Sequence, residues 1–145
     1  MPTRIASTDW TGDLEAGSGR VELASSGLGG YDVSFPKRAS ERADGATSPE
    51  ELIAAAHSSC YAMQFSALAA EAGGTPDRVN DTAKVSLGPD PAGGFRLTGI
   101  ELVVRGRIGG LDAGAFKAVA EDAKATCPVS KALTGVEISL DAQMD

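Results

Sequence analysis

Few side chains in this sequence can carry covalent chemistry, and two cysteines, Cys60 and Cys127, stand out among them. A single histidine, His57, weakens any serine–histidine–acid reading. Two cysteines and one histidine without a CxxC pair also make a poor zinc site. The glycines at 27–30 are too short and wrongly spaced a run for a phosphate loop, and turn formation explains them better. Taken alone, Cys60 on an alanine-rich helix reads as an inert buried side chain. Cys127 precedes Pro128 and reads as the N-cap of a short helix, where the helix dipole and free N–H groups stabilise a thiolate, although it too can be read as plain core. Together they fit a dithiol drawn from two separate helices, suited to a disulfide that forms and breaks during turnover.

These residues need elements to hold them. Segments 3–10, 19–25 and 31–35 alternate apolar and polar residues and predict strands; Val21 and Leu23 share one face, and Tyr31, Val33 and Phe35 repeat the period of two. Pro36 ends that run, and the mixed charges of 37–46 predict an exposed loop. A helix then starts with Ser48 as N-cap, Pro49 at N1 and Glu51 at N3 as a capping box, with Glu50 and Glu51 favoured by the dipole. It runs to Ala72, where Gly73 and Gly74 stop it. Leu52, Ile53, Ala56, Ala67 and Leu68 are its expected burial positions, and its small residues predict a central place in the fold. Segments 82–87 and 95–108 flank a glycine- and proline-rich turn and predict a hairpin. Asp112 caps a second helix at 113–125 that turns Phe116, Val119 and Ala123 inward. A short helix at 128–133 and a strand at 136–142 close the chain. The fold class is α+β in a single domain, 1–145.

Composition narrows the function classes. The net charge is −7, with no basic stripe to neutralise phosphates, so nucleic acid and anionic membranes are poor partners. The longest near-apolar run, 52–56, is far too short to span a bilayer, and the first residues lack the apolar core of a secretory signal. The expected location is the cytoplasm, where two cysteines are more often buried or redox-active than a structural staple.

The segment Thr47-Ser-Pro-Glu-Glu-Leu-Ile-Ala-Ala-Ala-His-Ser-Ser-Cys60 resembles the first-cysteine motif of the OsmC/Ohr hydroperoxide reductases. Cys127-Pro-Val-Ser-Lys-Ala-Leu133 resembles the second, and Trp10-Thr-Gly12 the family's N-terminal Trp-x-Gly. His57 stands where the Ohr branch usually carries tyrosine, which points to the OsmC branch. The resemblance implies an intertwined homodimer that reduces organic hydroperoxides, with Cys60 peroxidatic, Cys127 resolving and Glu50 orienting an activating arginine. Ser34-Phe-Pro-Lys-Arg38 resembles the family's strand-then-arginine segment, so Arg38 is the expected arginine; Arg42 is the alternative and Arg20, off register, a weaker one. No bound cofactor is implied, only an external dithiol reductant of the lipoyl type.

In that chemistry the thiolate attacks the peroxide oxygen, and a guanidinium lowers the thiol pKa and polarises the leaving oxygen. The sulfenic acid on Cys60 condenses with Cys127, and the dithiol reduces the resulting disulfide. His57, one turn before Cys60, either tunes the thiolate, binds peroxide or is a hydrogen-bonded packing residue. Glu50 and Cys60 lie about 15 Å apart along one helix, so the resemblance and this spacing together imply a site shared between two antiparallel copies. The rival expectation is a non-catalytic OsmC-like protein that binds an apolar ligand or a partner.

Overall fold

The computed structural model describes Met1–Asp145. Its contacts divide the chain into two compact units, Met1–Leu52 and Ile53–Asp145.

The first unit is an antiparallel meander of β1 (Ser7–Thr11), β2 (Ser18–Glu22) and β3 (Gly30–Val33). Gly19 lies opposite Trp10 in the ladder, and a Cβ there would come within 2.9 Å of the indole, so glycine lets that ring lie across β2. The strands are shorter than their alternation predicts. Phe35 does not extend β3; it opens a helical turn, α1 (Phe35–Ala39), inside what reads as strand and loop. The cause is local: the Ser34 side chain caps the turn by accepting from the Lys37 N–H, and Pro36 supplies a helical φ in the first turn. All the buried apolar residues of the chain belong to the second unit.

Helix α2 (Pro49–Glu71) begins in the first unit and continues into the second. Ser48 accepts the Glu51 N–H at 3.1 Å, one half of the predicted capping box. The other half is absent, because the Glu51 carboxylate takes the Thr47 hydroxyl instead, at 2.6 Å. The buried stripe of α2 is His57, Tyr61, Phe65 and Ala69, spaced four apart. Ala56 and Ala67, expected inside, are exposed; the aromatic rings, not the alanines, set which face turns inward.

The second unit carries a long hairpin, β4 (Thr75–Pro89) with β5 (Phe95–Gly109), and β6 (Ile138–Met144) runs parallel along the other edge of β5. As the central strand, β5 buries Ile100, Leu102, Val104 and Ile108 at alternate positions. β4 starts earlier than predicted, since Pro76 sits at a register shift and its polar neighbours hide the strand. α3 (Ala113–Thr126), capped by Asp112, turns Phe116, Val119, Ala120 and Ala123 into the core. Phe65 and Phe116 meet with ring centroids 5.0 Å apart. α4 (Pro128–Ala132) follows directly. No helix is long and apolar enough to cross a membrane.

Candidate active site

The two cysteines converge in the second unit. Cys60 sits on α2 beside the buried stripe, and Cys127 sits at the joint between α3 and α4, where the following proline keeps its backbone extended at φ −56°, ψ 124°. Flanking residues fix the distance between the two helices. Tyr61 donates its hydroxyl to the Ala120 carbonyl at 2.8 Å, and Gln64 donates to the Thr126 hydroxyl at 3.0 Å, next to Cys127. Beyond these clamps the sulfurs of Cys60 and Cys127 stand 3.1 Å apart as free thiols. Closing that gap to a disulfide's roughly 2.05 Å takes only a small movement. Cys127 is fully buried, whereas Cys60 is part-exposed.

The surroundings treat the two thiols differently. Burial pushes the Cys60 thiol up and the adjoining Cys127 raises it further, against a lowering by the Val129 N–H. Burial also opposes ionisation of Cys127, but there the Ser130 N–H, the Cys60 thiol, the Ser130 hydroxyl and the Val129 N–H outweigh it and bring the thiol down. The surroundings within this chain thus favour charge on Cys127 over charge on Cys60.

His57 is fully buried, and its Nε2 lies 2.7 Å from the Ser130 hydroxyl, seventy-three positions away in sequence. Burial lowers its pKa and so disfavours the charged ring. Ser130 is the residue that sequence reasoning passed over. The signal was present: it is at N3 of the helix that Cys127 caps, and N-cap and N3 side chains face each other. Asp81 on β4 was also passed over. Both its carboxylate oxygens are buried without a hydrogen-bond partner, and burial pushes its pKa up to about 7.

The first unit holds the remaining predicted residues. Arg38 on α1 grips Glu50 through three hydrogen bonds, Nε to both carboxylate oxygens at 3.1 Å and Nη2 to Oε1 at 2.7 Å. Burial works against the Glu50 charge; the Arg38 hydrogen bonds, its own backbone N–H and the Arg38 charge overcome it and hold the carboxyl low. Arg38 also borders an apolar cavity of about 400 Å³ lined by Trp10, Leu14, Val21, Val33, Phe35 and Leu52 among others. Arg42 is exposed, and Arg20 pairs with Asp32 on the surface at 2.9 Å. No three His, Cys, Asp or Glu side chains converge as a metal site would require.

Against known proteins, the OsmC-like protein family model matches residues 42–141. Peroxiredoxin OsmC of Escherichia coli is 41% identical over 135 residues, covering 93% of this chain and 92% of that protein. The organic hydroperoxide resistance protein OhrA of Bacillus subtilis is 33% identical, over 76% of this chain and 77% of its own length. The crystal structure of an organic hydroperoxide resistance protein OsmC from Legionella pneumophila superposes with a TM-score of 0.78 at 31% identity, covering 99% of this chain and 98% of that one.

Proposed function

This chain belongs to the OsmC-like proteins, and from that premise we propose that it is a two-cysteine peroxidase that reduces organic hydroperoxides to alcohols. The observation that carries the reading is the pair of free sulfurs 3.1 Å apart. The Cys60 thiolate attacks the outer peroxide oxygen, the O–O bond breaks, and the alcohol leaves with a proton. Cys127 then displaces water from the Cys60 sulfenic acid to form the disulfide. An external dithiol, of the lipoyl type that the resemblance implies, restores both thiols. The part-exposure of Cys60 and the burial of Cys127 agree with this division of labour.

Arg38, held by Glu50, is the cation that draws the first charge onto Cys60 rather than Cys127. The ten-residue spacing of Glu50 and Cys60 on α2 argues that a second copy supplies it, in a homodimer of single-domain chains. The apolar cavity beside Arg38 suits the organic arm of a hydroperoxide better than hydrogen peroxide. That cavity equally favours the second reading, an OsmC-like protein that binds an apolar ligand without turnover.

Stoichiometric cumene hydroperoxide separates the two. The enzyme loses both thiols and yields a Cys60–Cys127 cross-link by peptide mass spectrometry. Cys60→Ser consumes no peroxide, and Cys127→Ser reacts once and accumulates sulfenic or sulfinic acid on Cys60. Wild-type protein that keeps both thiols under that treatment is a binder, not a peroxidase.

A further inference from the structure

The buried His57–Ser130 contact has no role in the steps above, and Ser130 is N3 of the helix that Cys127 opens. His57 on α2 and Ser130 on α4 are 0% and 4% exposed, and their polar atoms meet at 2.7 Å. A buried polar pair of this kind costs stability unless both members are satisfied. It is not fully satisfied, because His57 Nδ1 is buried with no hydrogen-bond partner. That orphan favours one tautomer. Orphaned buried N–H groups are rarer than under-used acceptors, so Nδ1 is the bare nitrogen and Nε2 carries the hydrogen. His57 therefore donates to Ser130 Oγ, and the Ser130 hydroxyl hydrogen is left to point elsewhere. Ser130 is N3 of α4 and Cys127 its N-cap; the cysteine makes no side-chain cap hydrogen bond as a free thiol, but the Ser130 hydroxyl and N–H both favour its charged form. With His57 as the donor, the Ser130 hydroxyl is free to turn its own hydrogen to Cys127 Sγ once that sulfur carries charge.

We propose that His57 and Ser130 are a positioning pair that makes Cys127 the leaving group when the Cys60–Cys127 disulfide is reduced, so that the external dithiol attacks Cys60. The inference rests on the two-cysteine reading. In the step, a thiolate of the dithiol bonds to Cys60 Sγ, the Cys60–Cys127 bond breaks, and its electron pair stays on Cys127 as a thiolate held by the Ser130 hydroxyl. The second thiol of the reductant then attacks its own sulfur in the mixed disulfide. It leaves as a cyclic disulfide, oxidised by two electrons, and releases Cys60 with both enzyme sulfurs reduced. Access favours the same direction, since Cys60 is part-exposed and Cys127 is not. Leaving-group stabilisation adds what access cannot: a faster cleavage and a less reducing potential for the couple.

The test starts from wild-type protein oxidised with cumene hydroperoxide. Formation of the disulfide is verified first; if none forms, the two-cysteine reading fails and this proposal falls with it. The disulfide is then treated with one equivalent of 2-mercaptoethanol, quenched in acid and mapped by mass spectrometry. The adduct is expected on Cys60, with about a tenfold excess over Cys127; an adduct mainly on Cys127 overturns the proposal while leaving the two-cysteine reading intact. Ser130→Ala and His57→Leu, first oxidised fully to the disulfide, are expected to be reduced by dihydrolipoamide about tenfold more slowly, with the equilibrium shifted tenfold toward disulfide, about 30 mV. His57→Gln, which keeps an N–H donor near Nε2, restores the wild-type values. Unchanged potential and rate in Ser130→Ala and His57→Leu, shown to be folded by circular dichroism, also overturn it, because blocked access alone would not move a potential.

Discussion

At the scale of single residues, Arg38 and Arg42 are four positions apart and differ in everything that matters for activating a thiol. Arg38 is fixed by three hydrogen bonds to a buried carboxylate, whereas Arg42 is exposed. A guanidinium held at two points loses less freedom when a substrate arrives. Arg38→Ala is expected to raise the Cys60 pKa and slow the peroxide step by two or more orders of magnitude, on the order of ~3 kcal/mol of transition-state stabilisation. Glu50→Ala moves both in the same direction by less, and Arg42→Ala leaves them unchanged; iodoacetamide labelling against pH and single-turnover kinetics read the two effects. An unchanged Arg38→Ala with an inactive Arg42→Ala hands the role to Arg42. Asp81 makes a separate prediction. Its carboxyl titrates at an ordinary 3.8 when unfolded and at about 7 when buried. The folded form thus holds a proton that the unfolded form has lost, and stability falls as pH rises from about 4 to about 7, by up to ~4 kcal/mol. Urea unfolding of Asp81→Asn should show little change over that window and greater stability than wild type at pH 8.

At the scale of elements, the strongest local signals were the most readable. The Ser48-Pro49 start and glycine stop of α2, the Asp112 cap of α3 and the Pro128 start of α4 all sit within a residue or so of their expected places. So do both motif cysteines, because caps and prolines act on their own neighbours. Signals that depend on distant packing were read less well. Phe35 continues an alternating pattern, and only the competing Ser34 cap turns it into α1. The inward face of α2 was misread at Ala56 and Ala67 because alanine suits either face; Tyr61, Phe65 and His57 find their partners on α3 and α4, far along the chain. The α1 turn is therefore a weak element with a demanding duty, since it carries Arg38. Ser34→Ala removes its cap, at about 1 kcal/mol. The expected outcome is a small drop in melting temperature and a peroxide step slower than wild type but faster than Arg38→Ala. A step as fast as wild type would mean that Glu50 alone holds the arginine.

At the scale of the whole molecule, the two units are unequal. The second has a packed core of aromatic and branched residues, while no apolar side chain of the first is fully buried, and Trp10, Leu14 and Tyr31 stand exposed. A three-stranded sheet with apolar side chains in water needs a surface to rest on. A second copy fits that need, and it is the same copy that the proposed shared site requires. Refolding Cys60→Ser together with Glu50→Ala tests this. Each verified mixed dimer then holds one intact composite site and regains appreciable activity over either parent alone. No recovery, or a fully active monomer, rules the shared site out.

The 3.1 Å gap between the sulfurs has one further consequence. Bonding Cys60 to Cys127 ties α2 to the joint between α3 and α4 and encloses the whole β4–β5 hairpin and α3 in a covalent ring. Cross-linking a loop of that size restricts the unfolded chain by roughly 4 kcal/mol. On the proposed mechanism, a molecule that has just met a hydroperoxide is then harder to unfold than one awaiting its next substrate, and calorimetry should find the oxidised protein melting several degrees above the reduced one. Heat and oxidant together would select the form that is still waiting for its reductant, so that under combined stress the pool of enzyme is preserved in its spent state, ready to be recharged.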